Sequence, residues 1–97
     1  MSNFFIPRDM TNKNVGKGFQ MTFENGNTIS VMFGTGNYCD NKNGINDQTE
    51  GTKSGTAEIA IWNKEGVWYN FGNDEVIGYA STDETAKWVQ FASQNTF

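Results

Sequence analysis

The side chains that first suggest chemistry in this sequence are eleven carboxylates and one thiol, because the chain contains no histidine. Without histidine, the Ser–His and Cys–His dyads and the usual zinc ligand sets are excluded. Cys39 lies between Tyr38 and Asp40, where nothing clearly favours a thiolate, so we expect a buried or neutral thiol. A lone cysteine also excludes an intramolecular disulfide.

The carboxylates do not match a catalytic or metal-binding pattern. Asp40, Asp47 and Glu50 share one segment, but their spacing is not that of an EF-hand calcium loop. The acidic pairs at 74–75 and 83–84 could serve glycoside hydrolysis only across a cleft of about 5–10 Å. The first pair lies in a predicted turn, and the second lies in the first turn of a predicted helix, where the helix dipole favours negative charge. The sequence therefore predicts a non-enzymatic protein with no metal and no cofactor.

Length and composition predict the fold class. Ninety-seven residues suit one domain, and an aromatic content of 14% within a low apolar fraction of 36% indicates a core rich in rings. Eleven glycines against one proline favour tight turns between strands. We predict an α+β fold, with an antiparallel sheet of about five strands and one C-terminal helix packed on it. Its strands would form a β-hairpin, a long loop and then a three-strand meander.

The hairpin is predicted by period-two alternation. Apolar side chains recur at every second position over residues 19–23 and 29–33, which is typical of half-buried strands. Asn25-Gly26 between them predicts a type I′ turn. The meander is predicted at 56–62, 67–71 and 75–80, with turns at 64–66 and 72–74.

The C-terminal helix is predicted from its start signal. Ser81-Thr82-Asp83-Glu84 has the form of a capping box. A stripe at helical spacing follows, which should pack on the sheet and consists of Thr85, Trp88, Val89 and Ala92, with Phe91 at its border. We expect the helix to fray near residues 93–95, leaving Phe97 as a loose terminus.

Two segments lack periodicity. Residues 1–17 are expected to form an irregular N-terminal arm, and residues 18–97 the single α+β domain. The apolar arm residues Phe4, Phe5 and Ile6 should be covered by their own domain or by a partner chain, either as an arm or as a covering strand. Residues 34–55 are nearly all turn formers and predict a long loop, which in a compact domain is usually functional or disordered.

The candidate binding residues are aromatic and polar. Alternation places Trp62 and Trp68 opposite the sheet face that carries Ile59 and Ile61, so these rings face solvent, the N-terminal arm or a partner. Rings with polar tips are common interface anchors and stacking platforms. The full predicted set is Asn37, Tyr38 and Asp40 in the long loop, with Trp62, Trp68 and Tyr79 on the strands.

Charge limits the class of partner. The formal net charge is −4 and the seven basic residues are scattered, which disfavours direct nucleic-acid binding. The sequence shows no secretion signal and no apolar run near 18 residues, so we expect a cytoplasmic protein without membrane contact. A homodimer or a higher homo-oligomer remains open, since a domain of this size gains stability from association.

Several segments carry a resemblance: Phe33-Gly-Thr-Gly-Asn-Tyr-Cys39, Ala57-Glu-Ile-Ala-Ile-Trp62, Gly66-Val-Trp-Tyr69, Gly78-Tyr79 and the terminal helix. In these features, over roughly residues 19–95, the chain resembles a loose family of small uncharacterised accessory proteins of tailed bacteriophages. The resemblance implies a viral accessory protein in the host cytoplasm. Such proteins often act on host factors by binding, and inhibitors of bacterial defence systems are among them.

Three functions stay open at this point. The first is an inhibitor that binds a host defence protein through the aromatic face and the 34–55 loop. The second is a binder that sequesters a nucleotide-like small molecule, with Tyr38, Trp62 or Trp68 stacking on a base. The third is a minor structural virion protein, in which the 4–6 cluster adds to a neighbouring subunit.

Overall fold

The structure is a computed structural model and describes residues 4–7, 18–33 and 54–97. These residues form five strands and one helix: β1 Phe4–Pro7, β2 Gly18–Thr22, β3 Thr28–Met32, β4 Thr56–Trp62, β5 Ile77–Ser81 and α1 Thr82–Gln94. Each strand pairs antiparallel with the next along the chain, in one sheet of order β1-β2-β3-β4-β5. The predicted α+β architecture, an antiparallel sheet with one C-terminal helix packed on it, is confirmed.

The core lies on one face of the sheet, where rows of apolar side chains cross β2, β3 and β4. The two rows are Met21–Ile29–Ile61 and Phe19–Val31–Ile59. Ile29, Ile59 and Ile61 are fully buried. Since side chains along a strand alternate between faces, the period-two pattern of the sequence identified this face correctly.

Helix α1 covers the core with the predicted stripe. Ala92 is fully buried, and Trp88, Val89 and Phe91 pack against the core. The predicted capping box is present, since the Ser81 hydroxyl accepts from the Glu84 N–H at 3.1 Å and the Glu84 carboxylate accepts from the Ser81 N–H at 3.0 Å. The helix therefore begins where its sequence signal indicated.

The end of α1 is fixed by asparagines from the β2–β3 turn. The side-chain amides of Asn25 and Asn27 both donate to the carbonyl oxygens of Ala92 and Asn95. These carbonyls would otherwise lack partners at a helix C-terminus. Phe97 is also held, because its carbonyl oxygen accepts from the Asn63 amide at 2.9 Å. The expectation that Phe97 forms a loose terminus is therefore wrong.

The β2–β3 turn differs from the predicted type I′ turn. Phe23 and Asn27 close a three-residue loop, in which the Gly26 N–H donates to the Phe23 carbonyl oxygen. Only Gly26 has a positive φ, +92°, whereas a type I′ turn needs positive φ at both central residues. Asn25 instead accepts from the Asn27 N–H and donates to the end of α1.

The predicted three-strand meander is wrong in one respect, because residues 67–71 do not form a separate strand. Residues 67–69 pair with the end of β4 through bonds between Asn63 N and Val67 O and between Tyr69 N and Ile61 O. β5 pairs with the beginning of β4, in line with residues 67–69. Both segments thus lie along the same edge of β4, and a loop over residues 70–76 separates them. Two turns in this loop are held by side-chain hydrogen bonds, in which the Asn70 oxygen accepts from the Gly72 N–H and the Asp74 carboxylate accepts from the Val76 N–H.

The N-terminal arm is not irregular throughout, because β1 pairs with β2 in the register Phe5 with Met21 and Pro7 with Phe19. Of the two alternatives, an irregular arm and a covering strand, these four residues form a strand. Aromatic and β-branched residues favour strands, and the free edge of β2 offers them unpaired backbone groups. Pro7 is tolerated because β1 is the outermost strand of the sheet. The remainder of the predicted arm, and residues 34–53 of the predicted 34–55 loop, lie outside the described residues.

Candidate functional site

A stacked tryptophan pair lies on the sheet face opposite α1. Trp62 follows the buried Ile61 along β4, so its side chain points away from the core. Its ring centroid is 5.1 Å from that of Trp68, at an interplanar angle of 25°. Trp68 keeps 42% of its surface exposed. Sequence alternation thus placed both rings on the correct face.

The hairpin that carries Trp68 is fixed by Asn63. The Asn63 side-chain oxygen accepts from the backbone N–H groups of Glu65 and Val67, at 3.0 and 2.9 Å. Gly66 completes the turn with a φ of +83°, which an L-residue adopts only with strain. The position of Trp68 is therefore set by the hydrogen bonds of this turn as well as by stacking on Trp62.

The neighbouring rings face the other way. Tyr69 packs within 4.9–6.0 Å, centroid to centroid, of four other rings that belong to the core side: Phe71, Trp88, Phe91 and Phe97. Val67 is exposed. Within residues 67–71, Tyr69 and Phe71 therefore pack on the core side, whereas Trp68 lies on the opposite face, stacked on Trp62.

Tyr79 lies in a β-bulge rather than in a regular strand. Ala57 pairs with Ala80 and Ile59 with Ile77, so that Gly78 and Tyr79 together stand opposite Glu58. Tyr79 has a φ of +56° and is 52% exposed. With Glu58 it lines an open hollow of about 440 Å³. Glu58 is roughly 13 Å from Trp62, the rise of four strand residues, and the structure thus places Tyr79 apart from the tryptophan pair.

The middle of the face opposite α1 is not open. Thr22, Thr28, Ser30 and Ala60 on this face are buried. The hydroxyl oxygens of Thr22 and Thr28 lie 2.8 Å apart and share a hydrogen bond. The exposed part of this face is thus confined, among the residues whose burial is known, to the side of β4 that carries Trp68 and Tyr79.

The remaining predicted site residues fall into two groups. Phe5 is 73% exposed at the outer edge of the sheet, where its register with Met21 places it on the core side. Phe4 and Ile6 stand opposite Thr22 and Gln20 in the same pairing. Asn37, Tyr38 and Asp40 lie outside the described residues.

An open cavity of about 370 Å³ was not predicted from the sequence. It lies on the core side of the sheet, beside the first turns of α1. The lining residues include Phe19, Phe33, Ala57, Ala80 and Thr85. The only sequence signal for this cavity is the small side chain at Ala57 in β4 and at Ala80 in β5. The sequence does not show that these two alanines pair, because the bulge shifts the register between the strands.

Two of the described carboxylates, Glu84 and Asp74, form local hydrogen bonds with the backbone. The backbone N–H and the hydroxyl of Ser81 bond to the Glu84 carboxylate and lower its pKa, with a smaller contribution from Lys87. Asp74 accepts from the Val76 N–H. Across residues 4–7, 18–33 and 54–97, no three Asp, Glu or Cys side chains come together in a way that could hold a metal ion.

Comparison with known proteins finds no matching family model, no matching curated protein and no matching solved structure. The resemblance to tailed-phage accessory proteins therefore stays a prediction. Within the described part of the chain, no helix has the length and apolarity needed to cross a membrane.

Proposed function

We propose that this chain is a non-enzymatic bacteriophage accessory protein that binds and inhibits a host defence protein. The observation that carries the proposal of binding is the stacked Trp62–Trp68 pair, in which Trp68 is exposed and Trp62 is half-buried. The phage origin and the defence target rest on the sequence resemblance alone. A host protein is therefore the expected partner, and the host cytoplasm the expected location.

The tryptophan pair has the properties of an interface anchor. Tryptophan is among the residues that most often dominate binding energy, provided that it is desolvated in the complex. Trp68 is held by its stack on Trp62 and by the hydrogen bonds of Asn63 within the turn, so binding would cost little further side-chain conformational entropy. Such preorganisation reduces the entropic cost of association.

Charge supports a partner with basic residues at the rim of its interface. Asp74 and Glu75 are exposed in the loop over residues 70–76, whereas in the hairpin of Trp68 the exposed Lys64 offsets the charge of the exposed Glu65. The chain as a whole carries a net charge of −4. Complementary charge at a rim accelerates encounter more than it raises affinity, so we expect the association rate to fall as salt rises.

Trp68→Ala tests the proposal. The wild-type protein should co-purify with one host protein in a fixed ratio, and Trp68→Ala should weaken that complex by about 2 kcal/mol or more, roughly thirtyfold in Kd. Val67→Ala is the matched control, because Val67 is exposed beside Trp68 but lies outside the stack. Far-UV circular dichroism checks the fold of each variant. Equal affinity of folded Trp68→Ala and wild type would remove the tryptophan pair from the interface.

The second candidate function is binding of a nucleotide-like small molecule. The observation that favours it is the nearly parallel stack, which leaves part of Trp68 exposed as a surface on which a base could lie. A ligand present at 100 times its Kd should stabilise the native state by about 2.7 kcal/mol. A nucleotide panel that leaves the melting temperature unchanged would count against this function, and it would leave the protein-binding proposal intact.

A further inference from the structure

The cavity on the core side owes its depth to two alanines. Ala57 and Ala80 are direct cross-strand partners and both are buried, with exposed fractions of 7% for Ala57 and 1% for Ala80. The next pair toward the centre of the sheet is Ile59 and Ile77, which fills the equivalent space. The sheet therefore lacks side-chain volume at the place where the first turns of α1 pass over it.

The cavity has an apolar interior and hydroxyl groups among its lining. Phe19, Val31 and Phe33 contribute its apolar surface, together with the alanines. The Thr85 hydroxyl donates to the Ser81 carbonyl oxygen at 2.8 Å, so its oxygen can still accept. The Ser54 hydroxyl oxygen accepts from the Thr56 N–H at 3.3 Å, so its proton can still be donated. The lining thus offers both a donor and an acceptor.

Charge and volume limit the ligand. None of the described residues that line the cavity is charged, and burying an unpaired charge there would be costly. An apolar cavity of about 150 Å³ is known to admit benzene, so about 370 Å³ has room for a body of two fused rings. The cavity is open to solvent, so a ligand would remove its apolar lining from water, and binding would stabilise the folded chain.

We propose that this cavity binds a small uncharged molecule with an apolar body of about two rings and one hydroxyl or carbonyl group. The polar group would lie toward the hydroxyls of Ser54 and Thr85, and the body against Phe19 and Phe33. This site is distinct from the tryptophan pair, which lies on the opposite face of the sheet. It therefore does not depend on the function proposed above.

The probe for this site is 2-naphthol, titrated into the full chain and followed by ¹H–¹⁵N NMR. Saturable shifts are expected at the backbone amides of Val31, Ala57 and Ala80, together with a higher melting temperature. The charged analogue 2-naphthoate should bind at least about tenfold more weakly, a difference of about 1.4 kcal/mol. Equal binding of the two probes would overturn the chemical class, and the absence of saturable shifts with 2-naphthol would overturn the site.

Filling the cavity separates a ligand site from nonspecific adsorption. Ala80→Leu should occupy the cavity, raise the melting temperature and weaken 2-naphthol binding by at least about tenfold. Ala57→Val is a smaller filling change that suits a strand, and it is read in the same way if Ala80→Leu does not fold. Val67→Ala is the control, because Val67 is exposed and is not among the residues that line the cavity, and it should bind 2-naphthol as the wild type does. Undiminished binding in a folded filling variant would overturn the proposal.

Discussion

Tyr79 occupies a backbone conformation that residues other than glycine seldom adopt. Its φ of +56° lies in the left-handed region, which costs an L-residue with a Cβ atom roughly 1–2 kcal/mol. The bulge opposite Glu58 imposes this conformation, since two residues of β5 must fit against one residue of β4. The side chain itself is half exposed, so packing compensates only part of that cost.

The strain at Tyr79 predicts an inverted preference between glycine and alanine. At an ordinary strand position glycine is roughly 0.5–1 kcal/mol worse than alanine. Tyr79→Gly and Tyr79→Ala both remove the ring, but only alanine keeps the strain, so the glycine variant should be about 1 kcal/mol more stable. Urea unfolding with a constant m-value measures the difference. The same pair at Gln20, in the regular strand β2, should show the ordinary order, and an identical order at both positions would contradict the assignment of strain.

Single residues were predictable from the sequence where alternation was regular. Trp62 and Trp68 were placed on the face opposite the core, because β4 keeps its period along its whole length. Tyr79 was grouped with them as a candidate binding residue, and it lies on the same face beside Glu58, but the bulge in its strand means that the period-two rule could not show this. The cavity lined by Ala57 and Ala80 was not predicted, because alanine contributes little to a hydrophobic pattern. The pairing of the two alanines also depends on that same bulge.

The start of helix α1 depends on the charge of Glu84. Its carboxylate accepts the Ser81 N–H, which lowers its pKa from the ordinary value of 4.5. A carboxylate whose pKa is lower in the folded chain stabilises the fold above the unfolded pKa. That contribution is lost as the pH falls through the lower folded value.

Replacing Glu84 by glutamine should therefore have a pH-dependent effect. Glu84→Gln keeps a side-chain oxygen that can accept the Ser81 N–H but removes the charge, which is favoured at a helix N-terminus. We expect the variant to be less stable than the wild type at pH 7 and the gap to narrow as the pH is lowered from 4.5 toward 3. Urea midpoints at both ends of this range measure it. A gap of equal size at pH 7 and pH 3 would show that the charge does not contribute.

Elements were predictable where their signals are local. The β2–β3 hairpin and α1 depend on alternation, a turn and a cap within a few residues, and their positions were close to those observed. Of the strand predicted at 67–71, only residues 67–69 pair with β4, and β5 pairs with the rest of that edge. β4 offers one free edge, and both residues 67–69 and β5 occupy it. The pairing of β1 with β2 is likewise non-local, and sequence alone left it open between an arm and a strand.

At the scale of the molecule, the sheet separates two surfaces of different character. The core side carries α1, the ring cluster around Tyr69 and the apolar cavity. The other side carries buried threonines at its centre and, at the end of β4, the tryptophan pair with its exposed Trp68. This division follows from alternation in β4, whose residues contribute in turn to each face.

The separation predicts that changes on the two faces act independently. Trp68→Ala should destabilise the chain through loss of its stack, by roughly 0.5–1.5 kcal/mol plus the lost burial, and Ala80→Leu should stabilise it. Trp68 pairs with Trp62 and Ala80 pairs with Ala57, so the two sites share no direct partner. The double variant should then equal the sum of the single effects within about 0.5 kcal/mol in urea unfolding. A coupling above about 1 kcal/mol would instead show that β4 transmits strain between its ends, in which case a ligand in the cavity would alter the tryptophan surface.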